Sequence, residues 1–194
     1  MSHELSLLRN SLEALHKLED SEWQEFSSLF TPFSAGRKEI LTVAGETEKY
    51  LYFVTQGVQR VYFYDEQEHE ATIVFTYAPS FGGVIDSMTL GTPSKYFYET
   101  LTSSTFLRAR FAEVLALMQG SHSLRKAIDK GLMLAFSGVM LRLVELQSFS
   151  SEEKFRTLMR RSPHILQLVP HKYIANYLGI DPTNFSKLIN SVKI

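Results

Sequence analysis

The sequence predicts an α+β protein: an antiparallel β-roll at the N-terminal side, one long helix, and a small helical unit at the C-terminal side. Three observations predict it. From about residue 33 to 111, aromatic and β-branched runs of about five to eight residues alternate with turn residues, which is strand behaviour. From Ser121 to Ser148 there is no proline, and apolar residues recur at helical steps. From Ser151 onward, short amphipathic stretches are separated by Pro and Gly. These zones divide the chain into 1–120, 121–148 and 149–194.

The composition narrows the class. With 194 residues and 44% hydrophobic side chains the chain buries a core, and disorder as a class is excluded. Net charge is −1, which argues against a protein that coats nucleic acid or membrane with its whole surface. The charge is unevenly placed, however. Residues 1–150 hold 13 Lys and Arg against 18 Asp and Glu, whereas residues 151–194 hold 7 against 3, so that only the C-terminal part is suited to meet a polyanion. There is no cysteine, which removes disulfides, thiolate metal sites and cysteine nucleophiles and fits a reducing, cytoplasmic setting. No apolar run approaches the ~18 residues of a membrane span, and the charged N-terminus MSHELSLLRNSLEAL lacks a signal-peptide pattern.

In chain order, Leu5, Leu8, Leu12 and Leu15 predict a first helix. A second starts near Asp20, capped by Asp20 or Ser21, presents Trp23, Phe26 and Phe30 on one face and ends at Pro32. Strands are predicted over Lys38–Val43, Tyr50–Thr55, Val58–Tyr64, Ala71–Tyr77, Tyr96–Thr102 and Phe106–Phe111. Many short, evenly spaced strands suggest a closed or rolled antiparallel sheet.

In the long helix, Ile128, Leu132, Ala135, Val139, Arg142 and Leu146 follow steps of four and three, the seam of a coiled coil with Arg142 its polar interruption. Met133, Leu134, Phe136, Leu141 and Leu143 form a second apolar face. Two apolar faces imply two partners, the chain's own roll and a second copy, with Ile128, Leu132, Ala135, Val139 and Leu146 at the dimer interface. Gly131 and Gly138, seven apart, lie on one side of the helix, where close backbone approach would offset their cost in helix propensity.

The C-terminal zone is read as a helix from Ser151 to about Arg160, a short one from Ser162-Pro163 to about Leu168, a third over His171–Leu178, and a last one opened by Pro182. Ile174, Tyr177 and Leu178 give one apolar face beside small Ala175. Gly179 suits the left-handed residue after a helix end. Ile180 plugs the turn, Asp181 caps the next helix, and Pro182 takes its first position. Phe185, Leu188, Ile189 and Val192 return at helical spacing. This is a helix–turn–helix. Thr183, Asn184 and Lys187 fall away from the core face of the second helix, as side chains that read base edges in a major groove must. Lys172, Ser186 and Asn190 are placed for phosphates.

With these residues in view, the chain resembles the Crp/Fnr type of bacterial transcription regulator over nearly all of residues 5–194. The resemblance is carried by ILTVAGE, YLYFVTQGVQRVYFYDEQEHEATIVFTYAPSFGGVIDSMTLGTPSKYFYETL, the long helix and YIANYLGIDPTNFSKL. It implies a cyclic-nucleotide-binding-like β-roll serving as a sensor, a dimerisation helix and a helix–turn–helix of winged type. It further implies a homodimer on a palindromic double-stranded DNA operator, RNA polymerase as a further partner, a small-molecule effector and no catalytic activity. The chain stops just after the recognition helix, so the wing hairpin that would come next is not expected.

Two anchors of the nucleotide-binding members are missing. Their cassette reads Phe-Gly-Glu followed about a dozen residues later by Arg-Ser; here the match is Phe81-Gly82-Gly83, and the arginine position falls at Pro93-Ser94-Lys95. Lys95 offers a point charge but no bidentate fork, so cAMP is not expected to bind. Another ligand could still occupy a pocket formed by Phe81, Gly82, Gly83, Ser94, Lys95 and Tyr96, with an aromatic lining from Tyr62, Tyr64, Tyr96 and Tyr98 according to strand facing. An Fnr-like iron–sulfur cluster is excluded by the absence of cysteine. His69 is the one histidine of the β region, too few for a metal cupin enzyme and more simply an exposed turn residue than a haem ligand. The alternative to a transcription regulator is a cyclic-nucleotide- or other small-ligand-binding regulatory module without DNA-binding activity.

Overall fold

A computed structural model describes residues 2–192. The chain begins with α1 (His3–Glu13) and α2 (Asp20–Ser28), continues through β1 (Thr31–Ala35), β2 (Ile40–Thr42), β3 (Tyr50–Gln56), β4 (Val58–Tyr64), β5 (Glu70–Tyr77) and β6 (Ser80–Gly82), and crosses α3 (Ile85–Leu90) to β7 (Phe97–Thr100) and β8 (Ser104–Arg110). The remainder is helical: α4 (Phe111–Gly120), α5 (His122–Ser148), α6 (Ser151–Arg161), α7 (Ile165–Leu168), α8 (His171–Leu178) and α9 (Pro182–Ser191). The expected absence of a wing concerns the chain beyond Val192 and lies outside the described residues.

The strands form two four-stranded antiparallel sheets in the orders β1-β8-β3-β6 and β2-β7-β4-β5, the rolled α+β architecture that the alternating runs predict. Six strands fall on the six predicted runs. β1 and β6 are additional: β1 carries Pro32, which an edge strand tolerates because its missing N–H faces away from the ladder. Accordingly α2 ends at Ser28, before Pro32, and its cap is Glu19 rather than Asp20 or Ser21, in a reciprocal capping box with Glu22. The helices α3 and α4 are additional as well.

Three apolar cores hold the molecule. The outer face of the first sheet, with Leu51, Phe53, Leu107 and Ala109, packs on α1, α2 and α4 and the start of α5 through Leu8, Leu12, Trp23, Phe26, Val114 and Leu124. Inside the roll, Tyr52, Val54, Val61, Tyr98 and Phe106 meet between the sheets. The third core joins α6, α7, α8 and α9 to the outer face of the second sheet through Val58 and Leu101. Period-two alternation along β3 and β8 sends neighbouring residues to different cores: Tyr52 faces inward and Phe53 outward.

The β3–β4 turn fixes the register of the roll. Gly57 has φ +90°, and a Cβ there would lie 2.6 Å from the Ser103 carbonyl and closer still to Ser104 Oγ. Gly57→Ala should therefore combine backbone strain with overpacking and destabilise the fold by about 2–5 kcal/mol. The measurement is the urea midpoint at unchanged slope, and an unchanged midpoint would show that the turn relaxes freely.

Candidate nucleic-acid interface and ligand pocket

The helix–turn–helix is built as its residue types require. α8 ends in a Schellman pattern: the Ile180 amide bonds the Ala175 carbonyl at 3.0 Å, the Gly179 amide bonds the Asn176 carbonyl at 3.0 Å, and Gly179 has φ +61°. The Asp181 carboxylate accepts from the Thr183 and Asn184 amides at 2.8 and 3.3 Å, and Pro182 opens α9. Phe185 and Leu188 anchor α9 in the core, with the Phe185 ring edge-on to Phe155. On the opposite side Thr183, Asn184, Ser186, Lys187 and Asn190 are all exposed. The Asn190 amide is turned back onto the Ser186 carbonyl at 3.0 Å. Lys172, on α8, is exposed with its ammonium 4.7 Å from the Tyr173 ring.

The unit is docked on the second sheet by polar contacts that the sequence does not disclose. The Asn176 side chain accepts from the Thr72 amide and donates to the Glu70 carbonyl, both at 2.6 Å, and so pairs with the free edge of β5 as another strand would. Beside it Arg60 is buried. It donates to Glu99 at 2.9 Å and Glu70 at 2.8 Å and lies 3.9 Å from the rings of both Tyr62 and Tyr173. Lys38 bonds Glu99 at 3.0 Å and the Tyr173 hydroxyl at 2.5 Å. Burial alone would raise the Tyr173 phenol; the bond from Lys38 and the neighbouring cations hold it below its ordinary value. For Arg60, burial opposes the charge but Glu70 and Glu99 more than offset it, and its pKa is raised. The signal for this cluster in the sequence is the alternation of Val58, Arg60 and Tyr62 on one strand face, an arginine where an apolar residue would ordinarily sit.

The long helix differs in detail from the predicted seam. Leu124, Ala127 and half-buried Ile128 pack on the first core, and a Cβ on Gly131 would touch Leu15 at 3.2 Å, whereas Gly138 has open space around it. Arg142 does not lie on a free seam. It turns to the chain's own C-terminal helices, bonding Glu145 at 3.1 Å and the Tyr177 carbonyl that ends α8, while Glu145 also holds Arg161 at 2.9 Å. Leu132 and Ala135 are half-buried, Val139 and Leu146 exposed. The second apolar face does not cover the roll: Met133, Leu134, Phe136, Leu141 and Leu143 are all exposed.

Of the six expected pocket residues, Phe81 is turned out of the roll and packs edge-on against Phe53 in the outer core. A Cβ on Gly82 would collide with the Tyr98 hydroxyl, so that Tyr98 fills the space in front of it. Gly83 sits beside the Tyr50 carbonyl and the Glu48 carboxylate. Ser94 is buried on the backbone of Tyr96, whose ring is half-buried at the inner core, and Lys95 is exposed. The tyrosine facings left open by the sequence are resolved: Tyr98 points inward, Tyr62 stacks on Phe97 at 5.2 Å beside Arg60, and Tyr64 is exposed. Among the described residues no group of three or more His, Asp or Glu could hold a metal ion, and no helix is long and apolar enough to cross a membrane. His69 is exposed and pairs with Asp65 at 2.9 Å.

No protein-family model and no curated protein matches the sequence. Solved structures do match. FixK2 from Bradyrhizobium japonicum superposes with a TM-score of 0.74 at 15% identity over 83% of each chain. A putative transcriptional regulator of the Crp/Fnr family from Eubacterium rectale superposes at 0.71 with 15% identity, over 93% of this chain and 86% of that one. The c-di-GMP-responsive global regulator CLP of Xanthomonas campestris superposes at 0.65 with 13% identity, over 89% and 90%. The fold is that of the Crp/Fnr-type transcription regulators, a cyclic-nucleotide-binding-like roll carrying a helix–turn–helix.

Replacing Asn176 by leucine keeps the side-chain volume while leaving the Thr72 amide and Glu70 carbonyl without their partner. The loss should cost about 1–3 kcal/mol of local stability. The Thr72 amide should then exchange with solvent roughly ten- to a hundredfold faster in native-state hydrogen exchange, with amides of the first sheet unchanged. Equal protection of Thr72 in variant and parent would show that α8 is held by apolar packing alone.

Proposed function

We propose that the chain is a sequence-specific DNA-binding transcription regulator that acts as a homodimer. The observation that carries this reading is the face of α9. Five polar or cationic residues are exposed along one capped helix whose other side is locked into a core, on a fold shared with transcription regulators. Thr183, Asn184 and Lys187 read bases; Lys172 and Ser186 contact phosphates; Asn190, already bonded to its own helix, supports the phosphate contacts. A ligand-binding module without a DNA role has no use for such a face on a basic C-terminal segment.

Dimerisation is supported by α5. Met133, Phe136, Val139 and Leu141 are each about three-fifths exposed, and helices with apolar residues on all sides are buried ones. A second copy packed along this helix covers them, divides the chain into sensor roll, dimerisation helix and reading head, and sets two recognition helices about one DNA turn apart on a palindromic site. Binding of cAMP is not part of the reading: the acid and the arginine of the cassette are absent, and Tyr98 occupies the space before Gly82.

Lys187→Ala should weaken binding to the operator by about 1–3 kcal/mol and relax preference at one base position per half-site. Lys172→Ala should weaken all sequences alike and lower the salt slope by about one unit. Selection from random DNA separates the two roles; the parental consensus recovered with Lys187→Ala would leave that residue a phosphate contact only. For the dimer, light scattering should give twice the 22.2 kDa chain mass, and Val139→Glu, by burying a charge without a partner, should return the monomer mass. A parent protein of monomer mass at micromolar concentration would overturn the dimer.

A further inference from the structure

The inner face of the first sheet changes character along its length. On β8 the inward residues are Phe106, Arg108 and Arg110. The register places Phe106 between Phe33 and Val54, Arg108 between Thr31 and Tyr52, and Arg110 opposite Tyr50. At one end the face is closed by buried Ala35, Val54 and Phe106. At the other it opens into a depression of about 260 Å³ lined by Leu29, Thr31, Tyr50, Arg108, Arg110 and Glu113.

From this we infer that the depression is a binding site for a small oxyanion, a carboxylate or phosphoryl group, held between Arg108 and Arg110. Charge is the first argument. The buried arginines Arg60 and Arg142 each hold a carboxylate. Among the described residues Arg108 and Arg110 hold none, although they stand two residues apart on one strand face and so about 7 Å apart along it. Like charges this close repel, and a bound anion between them reverses the sign of that interaction. Glu113, on the wall, forms no ion pair with either.

Preorganisation is the second argument. The Arg108 guanidinium lies 3.8 Å from the Phe33 ring and 4.5 Å from the Tyr50 ring; Arg110 lies 5.7 Å from Tyr50. Stacking on aromatic faces fixes the guanidinium plane, and a fixed fork binds a carboxylate or phosphate at two oxygens with little ordering cost. Size is the third. The depression of about 260 Å³ has room for a small acid or a phosphate monoester. Its residues are distinct from the Phe81–Gly83 and Ser94–Tyr96 segments, and the site does not depend on DNA binding.

The test is an NMR titration of the full-length ¹⁵N-labelled protein with inorganic phosphate and, separately, benzoate, at fixed ionic strength so that screening is constant. Saturable shifts at the Arg108 and Arg110 Nε–H signals are expected with at least one probe; phosphate alone would assign a phosphoryl group, benzoate alone a carboxylate, and both a general oxyanion site. Arg110→Gln, at an exposed position outside the cores, should weaken the binding at least tenfold, and Arg37→Gln, an exposed arginine elsewhere, should leave it unchanged. Arg108→Gln should weaken it as well. The proposal is overturned if neither probe saturates in the parent, or if Arg110→Gln binds as the parent does.

Discussion

Arg60 lies only 3% exposed on the outer face of β4, and an arginine cannot shed its proton to escape burial. An unpaired guanidinium there would cost several kcal/mol, so the surroundings are arranged around it. Glu99 comes from β7, Glu70 from β5, and the rings of Tyr62 and Tyr173 cover its two faces. Tyr173 belongs to α8. The first helix of the helix–turn–helix is thus part of the solvation shell of a charge in the roll, and Lys38 closes the cluster by bonding Glu99 and Tyr173 together. Buried ionic groups contribute little net stability compared with apolar packing, but they fix one register among several. Lifting α8 off the sheet would hydrate Arg60 and release Asn176 from the β5 edge in the same movement.

The other end of α8 obeys the same logic. Its last carbonyls need donors, and Arg142 from α5 supplies one at Tyr177 while sharing Glu145 with Arg161. α8 is therefore gripped at Tyr173 and Asn176 by the roll and at Tyr177 by the long helix, while α9, bound chiefly to α6 and α8, keeps its polar face in solvent. The turn between them is rigid, through the Schellman bonds and the Asp181 cap, so the position of α9 is set by whatever sets α8. α8 thus ties the second sheet to the long helix.

How much of this can be read from the sequence depends on the range of the interactions. Strands with clean alternation are legible because the period of two is local, and the helix–turn–helix is legible because Gly179, Asp181 and Pro182 each act within four residues. β1 escapes because Pro32 reads as a breaker, and only its place at the sheet edge makes it tolerable. The cap of α2 falls one residue earlier than the sequence suggests because glutamate is a weaker capping signal than Asp20 or Ser21 beside it. Arg142 reads as part of the dimer seam because helical spacing gives the face but not which neighbour covers it. Nothing local singles out Asn176, and Arg60, which stands out between Val58 and Tyr62, gives no sign of its partner; the two partners lie 106 and 39 residues away. Of the expected sites, the α9 residues share one exposed face, whereas Phe81 enters the outer core. A Phe-Gly-Gly string fixes backbone shape but not which core its phenylalanine enters.

The chemistry of the roll interior bears on how a signal could reach it. Glu48 is buried against the Thr42 hydroxyl and the Tyr50 amide, and burial raises its carboxyl above the ordinary range despite those bonds. Burial likewise pushes up the phenols of Tyr52 and Tyr98, which share the interior with it. A carboxyl whose pKa is raised by folding contributes less stability as pH climbs from its unfolded value towards the folded one, so this interior is polar, desolvated and under mild electrostatic load. Within it the Tyr52 ring meets those of Tyr98 and Phe106 at 5.6 and 5.4 Å. Ligands act where a protein can yield at low cost. On the proposed reading those places are the rim of the first sheet, where the inward row turns from phenylalanine to arginine, and the seam where α8 rests on β5.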